Sequence, residues 1–180
     1  RIPDLLQDPC PAGHFCPIAT PDPLPCPAGT VQPHLGRSAE SECAATPAGY
    51  FSLRNSSKPS GACAPGHFCP AGSTSSRHAP CPARYYRSLP GARAADDCAV
   101  CVSGSFCPAG SAAPTVCPRG FYCITGMADP EPCPVGTFGN STGLRRVEDC
   151  AKCHPGYFCD GIGLPSPRGP CDPGYYCLEG

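Results

Sequence analysis

Residues 133–159 decide how the chain is read. They run Cys133-Pro134-Val135-Gly136-Thr137-Phe138, continue through a polar stretch to Glu148-Asp149, and close with Cys150-Ala151-Lys152-Cys153-His154-Pro155-Gly156-Tyr157-Phe158-Cys159. Two cysteine spacings are contained in that stretch, and both recur. The long one, with sixteen residues between the cysteines, is found at Cys26/Cys43, Cys81/Cys98 and Cys133/Cys150. The short one, with five between, is found at Cys10/Cys16, Cys63/Cys69, Cys101/Cys107, Cys117/Cys123, Cys153/Cys159 and Cys171/Cys177. Together the two modules account for all 18 cysteines. A fixed internal period outranks local propensity as a guide to fold, because it marks one structural unit used many times.

Both modules open in the same way. A glycine follows the first cysteine by three residues, as in Gly13, Gly66, Gly136 and Gly156, and an aromatic follows it by five, as in Phe15, Phe68, Phe138 and Phe158, with Arg84 and Val31 as the exceptions. The proline directly after many first cysteines, as in Cys10-Pro11-Ala12-Gly13, sets φ for a tight turn, and the glycine supplies a backbone angle that other residues reach only with strain. Each module is therefore expected to begin with a turn. Its aromatic is expected to stack on a neighbouring disulfide or on the next unit.

Composition excludes an ordinary globular core. Leu, Ile, Val and Phe make up 26 of the 180 residues, there is no Trp, and Pro and Gly number 27 and 21. Without cysteine such a chain would read as disordered. An even number of cysteines at recurring spacings reads instead as a disulfide framework made in an oxidising compartment. Structural zinc is the competing use of cysteine, and it needs paired C-x2-C knuckles. Only Cys98/Cys101 and Cys150/Cys153 have that spacing, and His14, His67 and His154 fall at variable positions, so no metal ligand is assigned.

One segment narrows the pairing. After Cys43 the chain reads Thr46-Pro47-Ala48-Gly49-Tyr50-Phe51-Ser52, which aligns with Cys153-His154-Pro155-Gly156-Tyr157-Phe158-Cys159. Thr46 and Ser52 stand where a short module has its two cysteines, and every other module stays complete. Joint loss of both partners is what deleting one self-contained bridge leaves behind. The expected bonds are therefore Cys10–Cys16, Cys26–Cys43, Cys63–Cys69, Cys81–Cys98, Cys101–Cys107, Cys117–Cys123, Cys133–Cys150, Cys153–Cys159 and Cys171–Cys177. An interlaced alternative, Cys101 to Cys117 with Cys107 to Cys123, remains open at this point. In the loop-entropy account a seven-residue loop contributes about 2.4 kcal/mol and an 18-residue loop about 3.2 kcal/mol, enough in sum to replace a hydrophobic core.

The succession of a long module and then a short one, seen from Cys133 to Cys159, resembles the ephrin-receptor-like cysteine-rich repeat. It is also similar to the opening half of tumour-necrosis-factor-receptor cysteine-rich modules and to the wider growth-factor-receptor cysteine-rich superfamily. The resemblance covers nearly everything from Cys10 onward. It implies a role as spacer or interaction surface in a large extracellular protein and assigns no ligand-binding residue.

The remaining motifs are weighed on their chemistry. Asn55-Ser56-Ser57 and Asn140-Ser141-Thr142 are acceptor sequons in polar, turn-rich stretches, so Asn55 and Asn140 are candidate glycosylation sites. Each long module closes with Arg and then acidic residues: Arg37 with Glu40 and Glu42, Arg93 with Asp96 and Asp97, Arg145 and Arg146 with Glu148 and Asp149. These are read as solvated ion pairs steadying a loop, worth about 0 to 1 kcal/mol each. No nucleophile motif, phosphate-binding loop or cofactor signature is present, so no enzymatic activity, catalytic residue or cofactor is assigned. A net charge of −1 spread along the chain offers no footprint for nucleic acid. No apolar run of bilayer length exists, so direct membrane insertion of this segment is not expected.

The expected fold is a small disulfide-rich repeat: an elongated array of about ten hairpins and loops with little or no helix and no central hydrophobic core. Residues 1–9 read as a linker, 10–62 as a first repeat block containing the vacant pair, and 63–100, 101–152 and 153–180 as three more, the last truncated in mid-linker. A secretion signal is expected elsewhere, which makes the chain read as a segment of a larger cell-surface or secreted glycoprotein. Its expected role is a structural spacer or scaffold whose partners are other domains of its own chain, extracellular proteins, or copies of itself in a coat or filament. The alternative is a set of ligand-binding receptor modules. Small-angle scattering checks the elongated form, since ten units of about 10 Å approach 100 Å in length. A radius of gyration near the ~16 Å of a globule this size would overturn it.

Overall fold

A computed structural model describes residues 8–180, so most of the linker read over 1–9 lies outside the described residues. The fold is a disulfide-rich hairpin array. Ten repeats begin at Cys10, Cys26, Thr46, Cys63, Cys81, Cys101, Cys117, Cys133, Cys153 and Cys171. The array divides into two compact units, Arg1–Pro80 with Leu89–Asp97, and Cys81–Ser88 with Cys98–Gly180. The division cuts the fifth repeat, whose loop 89–97 lies with the first unit while its bridged ends, Cys81 and Cys98, lie with the second.

Every repeat opens with a turn closed by one backbone hydrogen bond, from the N–H of its fifth residue to the carbonyl of its second. Examples are His14 to Pro11 at 3.1 Å, Thr137 to Pro134 at 3.1 Å and Tyr157 to His154 at 3.1 Å. The glycine is the third residue of that turn and adopts positive φ, +82° at Gly13 and +80° at Gly156, as a type II turn requires. This corrects the role expected for the first proline. Pro11 and its equivalents precede the corner and supply the accepting carbonyl. The residue at the corner, where a fixed φ assists the turn, is Pro65, Pro155 or Pro173 in the repeats that read x-Pro-Gly.

In nine of the repeats the two residues after the corner form one strand of a short antiparallel hairpin that closes within the repeat. Its partner is the pair of residues just before the next repeat: His14–Phe15 against Leu24–Pro25, Thr137–Phe138 against Ala151–Lys152, Tyr157–Phe158 against Gly169–Pro170. Among the described residues the helical pieces are three 3-10 turns, Glu40–Glu42, Ala95–Asp97 and Val147–Asp149, each ending just before the second cysteine of a long module.

The glycine corner joins the repeats. In the sixth repeat, Gly104 donates its N–H to the Cys123 carbonyl at 2.7 Å and accepts at its own carbonyl from the Cys117 N–H at 2.9 Å. Two further bonds complete the junction, Cys107 N–H to the Met127 carbonyl at 2.9 Å and Gly126 N–H to the Cys101 carbonyl at 2.8 Å. The same four bonds recur at the other junctions within each compact unit, three of them at the last, for instance Gly13 to Gln32, Cys26 to Gly13, Cys16 to Arg37 and Gly36 to Cys10. Backbone polar groups that a hydrophobic core would bury in long helices or sheets are here satisfied between neighbouring repeats.

A second glycine, in the linker, was not singled out from sequence. Gly36, Gly72, Gly91, Gly110, Gly126, Gly143 and Gly163 all hold positive φ, and Ala19 and Asn55 take the same angle at that place, with φ of 63° and 66°. It lies against the corner glycine of the repeat two earlier. A methyl at Gly104 would sit 2.7 Å from the Gly143 carbonyl oxygen.

Apolar packing is local. Phe138, 5% exposed, sits with the Cys153–Cys159 bridge of the next repeat and with Leu164, and meets the His154 ring edge-on at 5.4 Å. The buried set is otherwise mostly cysteine, with Phe15, Val31 and Ala92. In Tyr50–Phe51, Tyr85–Tyr86 and Tyr157–Phe158 strand alternation turns the first residue outward, so Tyr157 is exposed and Phe158 half-buried.

Two substitutions separate the two demands on the corner. Gly104→Ala meets both the left-handed φ and the Gly143 oxygen, whereas Gly156→Ala, at φ +80° with nothing within 4 Å, meets the φ alone. Gly156→Ala is expected to cost about 1–2 kcal/mol and Gly104→Ala more, measured by denaturant unfolding with the bridges intact. Arg84 occupies the corner at φ 80°, so Arg84→Gly is expected to stabilise by up to about 1 kcal/mol.

Candidate functional site

The candidate site is the covalent framework and the loops it holds out. The bonds are Cys10–Cys16, Cys26–Cys43, Cys63–Cys69, Cys81–Cys98, Cys101–Cys107, Cys117–Cys123, Cys133–Cys150, Cys153–Cys159 and Cys171–Cys177, and no cysteine is free. Cys101 bonds Cys107 and Cys117 bonds Cys123, so the interlaced pairing is not the one formed. Nine bridges and no free thiol are the chemistry of an oxidising compartment.

Long and short modules start their bridges at the same position of the repeat. In each, the first cysteine starts the repeat; its partner is either the seventh residue or the third residue before the next repeat. Cys101 and Cys107 illustrate the first arrangement, Cys133 and Cys150 the second, and in the second Gly139 fills the seventh place. Nine repeats therefore carry one bridge each. The third carries none, with Thr46 and Ser52 at the two positions, both fully buried.

The charged residues closing the long modules have a more specific role than surface ion pairs. The acidic residue just before the second cysteine folds back over its 3-10 turn and accepts backbone N–H groups. Glu42 Oε2 accepts from Ser38 at 2.8 Å and Ala39 at 3.1 Å, Asp97 Oδ2 from Arg93 at 2.6 Å, and Asp149 Oδ2 from Arg145 at 2.8 Å. Ion pairs accompany two of them, Arg37 Nη1 to Glu42 Oε1 at 3.0 Å and Arg146 Nε to Asp149 Oδ1 at 3.1 Å. The expected pairing to arginine is thus present but secondary: hydrogen bonds from Ser38 and then Ala39 lower the Glu42 pKa more than Arg37 does, and that from Arg145 leads at Asp149. The linear spacing could have suggested a cap, since an acid three or four residues beyond a turn's start is a known N-terminal signal.

Both sequon asparagines are exposed. Asn55 holds the left-handed linker position, its N–H bonded to the Cys26 carbonyl at 3.0 Å. Asn140 lies at the start of the third long module's loop, where Ser141 Oγ donates to its Oδ1 at 3.1 Å. Elsewhere Tyr122 faces Glu131 across a hairpin, and partial burial, then that carboxylate, raise the phenol's pKa.

Among the described residues no group of three or more His, Cys, Asp or Glu is placed to hold a metal ion. No helix among them is long and apolar enough to cross a membrane. The chain matches no protein-family model and no curated protein.

The caps make stability depend on acid. Glu42 and Asp149 have folded pKa values below their unfolded ones, so their contribution is present above the unfolded pKa and is lost as pH falls through the folded one. Carboxyl NMR titration should place both midpoints below the ordinary carboxylate range. Asp149→Asn should reduce the acid-dependent part of the stability loss without moving the Glu42 midpoint. A Glu42 midpoint at or above the ordinary value would contradict the cap.

Proposed function

We propose that the chain is a structural spacer or scaffold segment of an extracellular protein, cell-surface or secreted, that holds other parts of its parent chain, or neighbouring copies in a coat or filament, at set intervals. The observation that supports this reading is the recurrence of one junction. The same backbone bonds join repeat after repeat within each compact unit, through main-chain atoms that any sequence supplies, while the side chains turned outward differ from repeat to repeat. Such a device specifies spacing without specifying a ligand. The spacing resemblance to ephrin-receptor-like repeats, which implies spacers and interaction surfaces of large extracellular proteins, is compatible with this reading. Disulfide content supports the compartment, and exposed Asn55 and Asn140 would carry N-linked glycans there.

The reading is non-enzymatic, with other domains and extracellular proteins as partners. Deleting 101–116 removes one period and joins Val100 directly to Cys117, reproducing the natural step from Val116 to Cys117. With the chain displayed between a membrane anchor and an epitope, the epitope's height should fall by one repeat, about 10 Å, while the remaining eight bridges form. Unchanged height, or a saturable protein ligand lost when exposed side chains of a single repeat are replaced, would overturn the spacer in favour of a receptor ectodomain. For the glycans, N-glycosidase treatment of the protein secreted from animal cells should lower its mass at two positions. Loss of the shift in both Asn55→Gln and Asn140→Gln, each at one site, assigns them.

A further inference from the structure

The third repeat is the one member of the array that its neighbours must hold without covalent help. Its backbone is wired like the others: Thr46 N–H to the Gly29 carbonyl at 2.9 Å, Gly29 N–H to the Ser52 carbonyl at 2.8 Å, Ser52 N–H to the Ser73 carbonyl at 3.1 Å, and Gly72 N–H to the Thr46 carbonyl at 2.9 Å. Its two bridge positions are as deeply buried as any cysteine, at 0% exposure for both Thr46 and Ser52. Their hydroxyls, Thr46 Oγ1 and Ser52 Oγ, have no hydrogen-bond partner. A disulfide at this place is content without hydrogen bonds; a hydroxyl is not, and it gains full hydration when the repeat opens.

Chain connectivity adds a second effect in the same direction. Residues 44–62 lie outside every disulfide loop, nineteen in succession between Cys43 and Cys63. The next longest such stretches, 70–80 and 160–170, hold eleven each. A stretch outside any loop gains the full conformational entropy of an open chain when it detaches, and a bridged repeat gains less. The two effects act on one segment.

We propose that residues 44–62 are the opening point of the array: the third repeat detaches locally and reversibly from its neighbours while the bridged repeats stay closed. The inference concerns local stability and does not rest on the spacer reading. In a protein carrying tension it would be where length is released first.

Amide hydrogen exchange on the native, fully oxidised chain tests it directly. The amides of Thr46, Ser52 and Cys63 bond across the third repeat as those of Cys101, Cys107 and Cys117 bond across the sixth. The first set should exchange at least about tenfold faster. Equal or slower exchange in the third repeat would overturn the proposal without any variant. In T46C/S52C, oxidised with glutathione disulfide, a tenth bridge should lower the mass by two hydrogens and slow the first set by up to about 50-fold, leaving the second set unchanged. A tenth bridge that forms and leaves those rates unaltered would also overturn it. Should the pair resist oxidation, the wild-type comparison decides.

Discussion

The corner residue that opens a repeat, glycine in all but the fifth, can use its N–H and its carbonyl on the same neighbour. At Gly104 the donor goes to Cys123 and the acceptor takes Cys117, so a single residue fixes both the distance and the orientation of the following repeat. That arrangement requires a left-handed backbone angle and an uncluttered Cα. The linker glycine of the repeat two further on comes to rest against it, and the chain's richness in glycine follows from that approach. Burial of apolar surface plays a minor part. A chain this poor in aliphatic residues would not stay folded on the hydrophobic effect alone.

Disulfides then supply what hydrophobic burial does not. Each bridge pins the first position of a repeat to a point six or seventeen residues on, so the long and short modules are two ways of closing the same unit. In the long modules the seventh position is freed from cysteine, and the extra loop needs its own support. The 3-10 turn capped by Glu42, Asp97 or Asp149 provides it through backbone N–H groups. The aromatic side chain covers the following bridge where it is best buried, as Phe138 covers Cys153–Cys159.

An array held this way has stability that is local by construction. Within each compact unit a junction contributes a few backbone bonds, each repeat but the third adds one bridge, and a defect stays where it is made. The third repeat shows how far the scheme tolerates loss: with threonine and serine in the bridge positions it keeps the turn, the hairpin and the junction bonds of its neighbours. Main-chain wiring is sufficient to shape a repeat, and the bridge adds to its persistence.

Much of this was legible in the linear chain. The spacing of 18 cysteines, the low aliphatic content and the absence of any helical apolar period determine a disulfide-rich hairpin array, because no other packing is open to such a composition. The vacancy at Thr46 and Ser52 was visible by alignment alone. Three things were decided only in the folded state. Each hairpin joins the start of a repeat to its own last two residues; the linker residue at positive φ lies against the corner two repeats earlier; and the acidic residues cap turns before they pair with arginine. Each depends on which backbone groups meet in space, and a periodic sequence states how often its units recur without stating which atoms come together.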